Sequence, residues 1–244
     1  MIEAAVLGGI PEVRPGDDLA ALLAAAAEPL GGLRPDDVLC VAHKVVSKAE
    51  GRVVDLRTVV PGDRAQAWAR EWDRDPRQIQ VVLDEAAEVV RADRGRLICR
   101  TRHGFVCANA GVDRSNAGGE DRAVLLPLDA DASARRLRAR LGCAVVISDS
   151  FGRAWRTGQA EVAIGCAGLA PLEDWRGRSD ADGREMSATV IAVADQAAAA
   201  ADLARAKDAA QPAVRLRGLG RYVLAADGPG AAALVRPPAD DLFS

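Results

Sequence analysis

Apolar residues occur along this chain in short runs, separated by polar turns rich in glycine, proline and aspartate. Runs of roughly four to eight residues with many β-branched side chains are typical of buried strands. This pattern predicts strands at residues 2–9, 38–46, 96–101, 105–110, 143–150, 213–219 and 221–226, with a further apolar, glycine-punctuated segment at 161–169. The segments RLICRT and FVCANA are predicted to form a hairpin that turns at His103–Gly104.

Other segments have the spacing or composition of helices. They begin at about Leu19, cover residues 62–73 and 76–91, begin again at Asp131 or Ser133 and run to 142, and cover the alanine-rich residues 187–206. Asp17 and Asp18 are suited to cap the first of them. Trp68 and Trp72 are four residues apart on one predicted helix, where they are expected to be packing anchors.

Hairpins alternate here with longer crossovers, which favours an α+β fold with mixed or antiparallel sheets over regular βαβ winding. The 244 residues are enough for one large domain, and we expect a single domain over residues 1–244, with two interleaved subdomains as an alternative. We see no internal repeat and no long linker in the sequence.

Composition excludes several classes of partner. Hydrophobic residues make up 49% of the chain and charged residues 27%, with a net charge of −3. Nothing in this balance indicates binding to nucleic acid or to an anionic membrane. Charged residues interrupt every apolar stretch well short of the roughly 20 residues that a membrane-spanning helix needs.

The five cysteines are scattered, without a CxxC pair or a cysteine–histidine cluster. This spacing argues against a zinc or iron–sulfur site. We expect buried, reduced thiols and a cytoplasmic protein.

Two aspartates are predicted to lie at the ends of buried strands, each followed by small polar residues. Asp113 lies in NAGVDRSN, and Asp149 lies in ISDS directly before Ser150. Such oxygen-rich sets suit Mg²⁺ or Mn²⁺ that shares its coordination with phosphate oxygens and water. The alternative is that both aspartates only cap loops or helices.

Basic residues accompany these acids in the sequence. Lys44 and Lys48 lie in HKVVSKAEGR, and Arg153 and Arg156 lie in GRAWR. Cations beside metal-binding carboxylates suit a polyphosphate whose charge must be neutralised, although a solvated charged rim would have the same composition. His43 is a candidate general base. There is no GxxxxGK[ST] loop, no GxGxxG after a predicted strand and no GxSxG elbow, so a bound nucleotide would need another scaffold.

Six ordered segments covering nearly the whole chain resemble the coenzyme F-420:L-glutamate ligase family. They are GGIPEVRPGDDL (8–19), VAHKVVSKAEGR (41–52), NAGVDRSN (109–116), ISDSFGRAWRTG (147–158), AIGCAGLAPLEDWRGR (163–178) and PAVRLRGL (212–219). The resemblance implies a GTP-dependent ligase that adds L-glutamate, through a γ-linkage, to the deazaflavin cofactor precursor. It also implies a γ-glutamyl ligase fold in an intertwined homodimer, Mg²⁺ or Mn²⁺, and K⁺.

The resemblance also assigns site residues. Nucleotide contacts are expected at Ile10, Pro11, Glu12, Val13, His43, Lys44, Lys48 and Asn116, and divalent cations at Asp113, Asp149 and Ser150. Arg153 is expected to join Asp113 and Asp149 in catalysis by spreading the negative charge of the phosphoryl group. GTP would phosphorylate the acceptor carboxylate, and the amine of glutamate would then displace phosphate from the acyl phosphate.

The segment Ala206–Ala213 departs from the family pattern. Alanine replaces both glycines there, and Lys207 or Ala206 stands where archaeal relatives have a metal-binding glutamate. Lys207 could replace metal charge with ammonium charge, or Asp208 could coordinate, so both are kept as binding candidates. Bacterial two-domain relatives carry a C-terminal flavin-dependent domain, whereas this chain is expected to be the ligase module alone because it stops at DDLFS.

The sequence is also compatible with two other functions. One is a non-catalytic deazaflavin- or nucleotide-binding subunit that partners an oxidoreductase. The other is a ligase of the same mechanism that acts on a different acceptor.

Overall fold

The computed structural model describes residues 1–241, and the end of the DDLFS segment (residues 242–244) lies outside them. The strands are β1 (Glu3–Val6), β2 (Val38–Ala42), β3 (Val53–Asp55), β4 (Ala86–Asp93), β5 (Arg96–Thr101), β6 (Val106–Ala108), β7 (Arg122–Val124), β8 (Ala144–Arg153), β9 (Arg156–Ala167), β10 (Leu172–Asp174), β11 (Val190–Ala192) and β12 (Ala213–Arg217). The helices are α1 (Leu19–Ala27), α2 (His43–Ala49), α3 (Asp63–Trp72), α4 (Pro76–Glu85), α5 (Ala130–Leu141) and α6 (Val193–Ala204).

The central sheet has five strands in the order β1-β12-β2-β8-β9. Only the β2–β8 pair is parallel within it, and the other three pairs are antiparallel. This mixed sheet with flanking helices confirms the predicted α+β class.

Alternating side chains of the central sheet enter two different cores. On β2, Leu39 and Val41 face the core that includes α1, α2 and α5. Val38 and Cys40 face the opposite core, which α6 covers with its small alanine side chains. Because β2 is buried on both faces, its sequence is a continuous apolar run rather than an alternating one.

Residues between α2 and α5 build a third core away from the central sheet. It is formed by α3, α4, the pair β3–β7 and the three-stranded sheet β4-β5-β6. Trp68 and Trp72 stack here with their ring centroids 5.0 Å apart, which confirms their expected role in packing. The predicted hairpin at His103–Gly104 is also present, as β5 and β6.

The predicted strand over residues 38–46 is wrong beyond Ala42, where α2 begins directly. His43, Val46 and Ser47 are buried at helical spacing, a periodicity hidden by the apolar run before it. Conversely, the helix predicted to reach residue 91 ends at Glu85, and the following residues form β4.

Three further boundaries differ from the prediction. Helix α5 begins at Ala130 because Asp129, not Asp131 or Ser133, accepts the capping hydrogen bond. Helix α6 begins only at Val193, after β11. Residues 221–226 form a short turn rather than a strand, since Val223 makes only an isolated bridge to Leu169.

All five cysteines are free and buried, as predicted. Within residues 1–241, no helix has both the length and the apolar character that crossing a membrane requires.

Candidate active site

Four of the predicted site residues are in contact at the start of α2: His43 with Asp149, and Lys44 with Asp113. Strand β2 passes into α2 without a linker, so His43 and Lys44 are the first two helical residues. His43 is only 2% exposed, whereas Lys44 is half-buried at the surface. At the start of α2, the imidazole of His43 therefore faces the protein interior, and the ammonium group of Lys44 faces the surface.

His43 contacts Asp149 of β8. Its Nε2 atom lies 3.3 Å from Asp149 Oδ1, while its Nδ1 atom lies 3.4 Å from Ser47 Oγ. The contact is an ion-pair distance rather than a hydrogen bond, and this buried nitrogen has no hydrogen-bond partner among the described residues. The backbone amide of Ser150 donates to Asp149 Oδ1 at 2.8 Å, which fixes the carboxylate from the other side.

Lys44 contacts Asp113. Its Nζ atom lies 2.6 Å from Asp113 Oδ2 and donates to Ser115 Oγ at 2.5 Å. The amide of Ser115 donates to Asp113 Oδ1 at 2.7 Å, and the backbone of Asp113 pairs with Val124. Burial opposes the ionised form of Asp113, but the hydrogen bond from Lys44 and the Ser115 amide outweigh it and lower its pKa.

These contacts bring the two predicted aspartates together. His43 and Lys44 are consecutive residues, so each aspartate contacts one of two neighbouring side chains of α2. Asp113 and Asp149, remote in sequence, therefore converge at the start of α2. The expectation that both lie at strand ends is wrong in detail: β6 ends five residues before Asp113, and β8 continues to Arg153.

An unusual turn delivers the chain to Asp113. Asn109, Ala110 and Gly111 all have positive φ angles, of 53°, 51° and 75°. A Cβ atom at Gly111 would lie 2.6 Å from Cγ of Leu126, so only glycine fits there. Left-handed conformations at non-glycine residues are strained, and they persist where the surrounding packing enforces them.

The predicted nucleotide segment lies beside this point. Glu12 forms an ion pair with Lys48 of α2, with Oε1 and Nζ 2.5 Å apart. Val13 is buried in the core and Ile10 packs partly against it, while Pro11 is exposed.

Asn116 lies in the exposed loop after Asp113 with a φ of 54°. That loop passes close to Glu12, because a Cβ atom on Gly118 would lie 3.8 Å from Glu12 Oε1. Glu12 and Asn116 thus lie beside α2 and in the loop that follows Asp113.

Ser150 belongs to a second cluster, centred on Glu161 of β9. Ser150 and Glu161 are register partners across β8 and β9, and Ser150 Oγ donates to Glu161 Oε1 at 2.5 Å. Arg205 Nη2 lies 2.9 Å from Glu161 Oε2, and Lys207 Nζ lies 2.9 Å from Oε1. Burial acts against the ionised carboxylate of Glu161, but Arg205, Ser148, Ser150 and Lys207 together lower its pKa to about 2.

Sequence reasoning missed Glu161 and Arg205. The available signal was an acidic residue at the head of the apolar segment EVAIGCAGL, where an unpaired charge would be too costly to bury. Its partner Arg205 follows α6, and nothing in the sequence indicates that those two segments meet.

Two predicted residues are placed apart from the aspartates. The guanidinium of Arg153 donates to the backbone carbonyl of Thr157 at 2.8 Å, within the exposed β8–β9 hairpin. Asp208 lies on the surface after Lys207, and the structure gives it no hydrogen bond or ion pair among the described residues. Neither contacts Asp113 or Asp149 in this arrangement.

The chemistry of the donors near α2 suits a hard divalent cation in part. Asp113 and Asp149 offer carboxylate oxygens, which Mg²⁺ commonly combines with water and phosphate oxygens. No three His, Cys, Asp or Glu side chains in residues 1–241 are grouped as a protein-only metal site. The hydroxyl of Ser150 is already occupied, because it donates to Glu161 and accepts from Lys207.

Comparison with known proteins shows which protein family the chain resembles in sequence. The family model described as F420-0:Gamma-glutamyl ligase matches residues 9–218. A protein of Natronomonas pharaonis named Coenzyme F420:L-glutamate ligase is 46% identical over 223 residues, which are 88% of this chain and 86% of the relative. Proteins with the same name from Methanopyrus kandleri and Methanothermobacter thermautotrophicus are 42% and 40% identical, over 97% and 96% of this chain and 100% and 96% of theirs.

Proposed function

The chain belongs to the F420-0:gamma-glutamyl ligase family, and from this membership we propose that it adds L-glutamate to the coenzyme F420 precursor with GTP as co-substrate. The linkage formed is the γ-glutamyl amide that the family description names. The observation that carries the proposal is the convergence of Asp113 and Asp149 on His43 and Lys44.

The proposed nucleotide site uses basic groups that already have carboxylate partners. Lys44 is paired with Asp113, and Lys48 is paired with Glu12. A triphosphate is negatively charged and offers anionic oxygen acceptors, as these carboxylates do, so it can take their place on the ammonium groups. The segment Ile10–Val13 and Asn116 border this position and are the proposed contacts to the rest of the nucleotide.

Asp113 and Asp149 are the residues proposed to hold Mg²⁺ or Mn²⁺, whose charge would offset that of the phosphate groups. When Lys44 moves from Asp113 to a phosphate oxygen, it frees that carboxylate for the cation. The K⁺ requirement and the intertwined homodimer, both implied by family resemblance, stay proposals, as does the part of Arg153 in catalysis.

The proposed reaction has two steps that balance. A carboxylate oxygen of the cofactor precursor attacks the γ-phosphorus of GTP, and the bond to the β-phosphate oxygen breaks to release GDP. The nitrogen of glutamate, after losing a proton from its ammonium form, attacks the carbonyl carbon of the acyl phosphate. Inorganic phosphate leaves with the bonding electrons, and the nitrogen releases a second proton to solvent as the amide forms. The chain's own residues orient the reactants and exclude water, and no side-chain nucleophile is needed.

A reconstituted reaction tests the function. Purified protein with GTP, Mn²⁺, glutamate and the unglutamylated precursor should release GDP and phosphate in equal amounts and yield a product heavier by glutamyl units. GDP release that does not depend on the precursor, or a product of unchanged mass, would reject the ligase proposal.

Isotope transfer tests the acyl phosphate separately. With ¹⁸O in the carboxylate of the precursor, one labelled oxygen should appear in the released phosphate. Unlabelled phosphate alongside normal product would show that carboxylate activation follows another route.

A further inference from the structure

The ammonium group of Lys207 lies in a pocket of three oxygen atoms. Its Nζ atom is 2.9 Å from Ser150 Oγ, 2.9 Å from Glu161 Oε1 and 2.8 Å from Asp202 Oδ1. An ammonium group has three N–H donors, so each can be matched by one of these oxygens. The stem of Lys207 is exposed, and its charged end is the part that the protein engages.

This pocket is charge-balanced as it stands. Glu161 and Asp202 contribute two carboxylates, and Arg205 and Lys207 contribute two cations that contact them. Glu161 is only 3% exposed, so it requires positive partners to remain ionised. A divalent ion added to this set would either overcharge it or displace Lys207.

The pocket is also connected to the proposed active site. Ser150 shares its hydroxyl between Glu161 and Lys207, and its backbone amide donates to Asp149 Oδ1. Lys207 therefore acts on the position of Asp149 through a single residue. Lys207 itself does not contact Asp149.

We propose that the Lys207 ammonium is a tethered cation that fills the oxygen pocket of Ser150, Glu161 and Asp202 and positions Asp149 through Ser150. Dissociable divalent cations are then confined to the Asp113 and Asp149 side, and Ser150 is not a metal ligand. The positioning part of this inference rests on the function proposed above, whereas the occupancy of the pocket does not. Lys207 is a positioning residue, since it contacts neither substrate nor the aspartates.

Removal of the ammonium should turn the pocket into a site for a free monovalent cation. We expect the variant Lys207→Ala to unfold at a temperature about 5 °C lower than the unchanged chain in choline chloride, because Glu161 and Asp202 lose a cation. Equal concentrations of ammonium or potassium chloride should restore most of that loss in the variant and should leave the unchanged chain unaffected. Lys207→Arg, which keeps the charge, should show no selective response to ammonium or potassium.

Manganese binding provides the second measurement. Titration of the full chain with Mn²⁺ alone, followed by electron paramagnetic resonance, should give the same number of bound ions for the unchanged chain and Lys207→Arg. Lys207→Ala should bind one additional ion, competed by ammonium. The inference would be overturned if all three proteins bound the same number of manganese ions and the unfolding temperature of Lys207→Ala were the same in choline, ammonium and potassium chloride.

Activity then separates this inference from the proposed function. Lys207→Ala should ligate glutamate about 10- to 100-fold more slowly, and ammonium should recover part of the loss. If the unchanged chain forms no product, the proposed function is wrong. The effect of ammonium and potassium on the unfolding temperature of Lys207→Ala would still show whether the Lys207 ammonium fills the pocket.

Discussion

Two clusters of charged residues lie side by side on this molecule and are built in different ways. The α2 cluster consists of Lys44 paired with Asp113 and Lys48 paired with Glu12. Each lysine has a single acidic partner, and the acids are accessible: the side chains of Asp113 and Glu12 are 41% and 63% exposed. In the Glu161 cluster one buried carboxylate is shared by several partners, with Glu161 and Arg205 only 3% and 7% exposed.

The difference indicates which cluster can exchange its partners. Accessible ion pairs contribute little to stability, so Lys44 can leave Asp113 for a ligand at low cost. Lys48 is itself buried, but its partner Glu12 is accessible, so a phosphate oxygen can replace Glu12 while the ammonium group stays paired. Buried ion pairs are expensive to break, because the remaining charge is left without compensation. The α2 cluster is therefore suited to binding and the Glu161 cluster to holding the site in place.

Removal of Asp149 tests the binding cluster most severely. Asp149→Ala should lower the ligation rate by about 10³-fold, since the carboxylate proposed to hold the cation is lost. The rate of product formation is the measurement, and circular dichroism should show an unchanged fold. Glu71→Ala, an exposed carboxylate on α3, is the matched control and should keep full activity. Full activity in Asp149→Ala would refute the assignment.

The same chemical change in both clusters compares their rigidity directly. Glu161→Gln should lower the free energy of unfolding by about 3 kcal/mol, because Arg205 and Lys207 lose their shared charge. Asp113→Asn removes the accessible carboxylate partner of Lys44 and should change it by less than about 1 kcal/mol. Urea denaturation measures both values. Equal losses of unfolding free energy in the two variants would show that the two clusters do not differ in rigidity.

Neutralising a cation of the α2 cluster should affect nucleotide binding more than turnover. Lys44→Met should raise the KM for GTP about 10-fold, the usual effect of losing one charge-assisted hydrogen bond, with a smaller change in kcat. Arg57→Met, which removes an exposed cation paired with Asp55, serves as the control and should leave both constants unchanged. An unchanged KM in Lys44→Met would place the phosphates elsewhere.

The smallest expected difference concerns two hydroxyl groups. Ser150→Ala deletes a hydrogen bond to buried Glu161 and should cost about 1 kcal/mol of unfolding free energy. Ser115→Ala deletes a hydroxyl that contacts the exposed pair of Lys44 and Asp113, and its cost should be smaller. Thermal or urea unfolding of the two variants gives the comparison. A larger loss of unfolding free energy in Ser115→Ala than in Ser150→Ala would contradict the view that the Glu161 cluster is the more rigid of the two.

The sequence predicts the fold class, several element positions and the chemistry of the α2 cluster, and it fails where long-range contacts decide. The continuous apolar content of β2 identifies a buried strand, but it also hides the helical spacing of His43 and Val46 beyond it. Asp113 and Asp149 are recognisable from their polar surroundings. Their meeting at α2 depends on the parallel pairing of β2 with β8, which local patterns do not specify.

The Glu161 cluster was the least predictable part. Glu161 and Arg205 lie in different apolar contexts and meet only because α6 covers the central sheet. One compositional feature does point to Lys207: the chain has only three lysines, Lys44, Lys48 and Lys207, among 32 basic residues. All three ammonium groups contact carboxylates in these two clusters. Lysine provides a compact point charge, which suits a pocket of converging oxygens better than the flat arginine fork does.

The most direct test of the central claim is the position of manganese in a crystal of the full chain grown with GDP and Mn²⁺. Anomalous diffraction should place an ion within about 2.6 Å of oxygens from both Asp113 and Asp149, with Lys44 moved to a phosphate and Lys207 still bound to Glu161. An ion bound to Ser150 and Glu161 in place of Lys207, or one that contacts neither aspartate, would contradict the account.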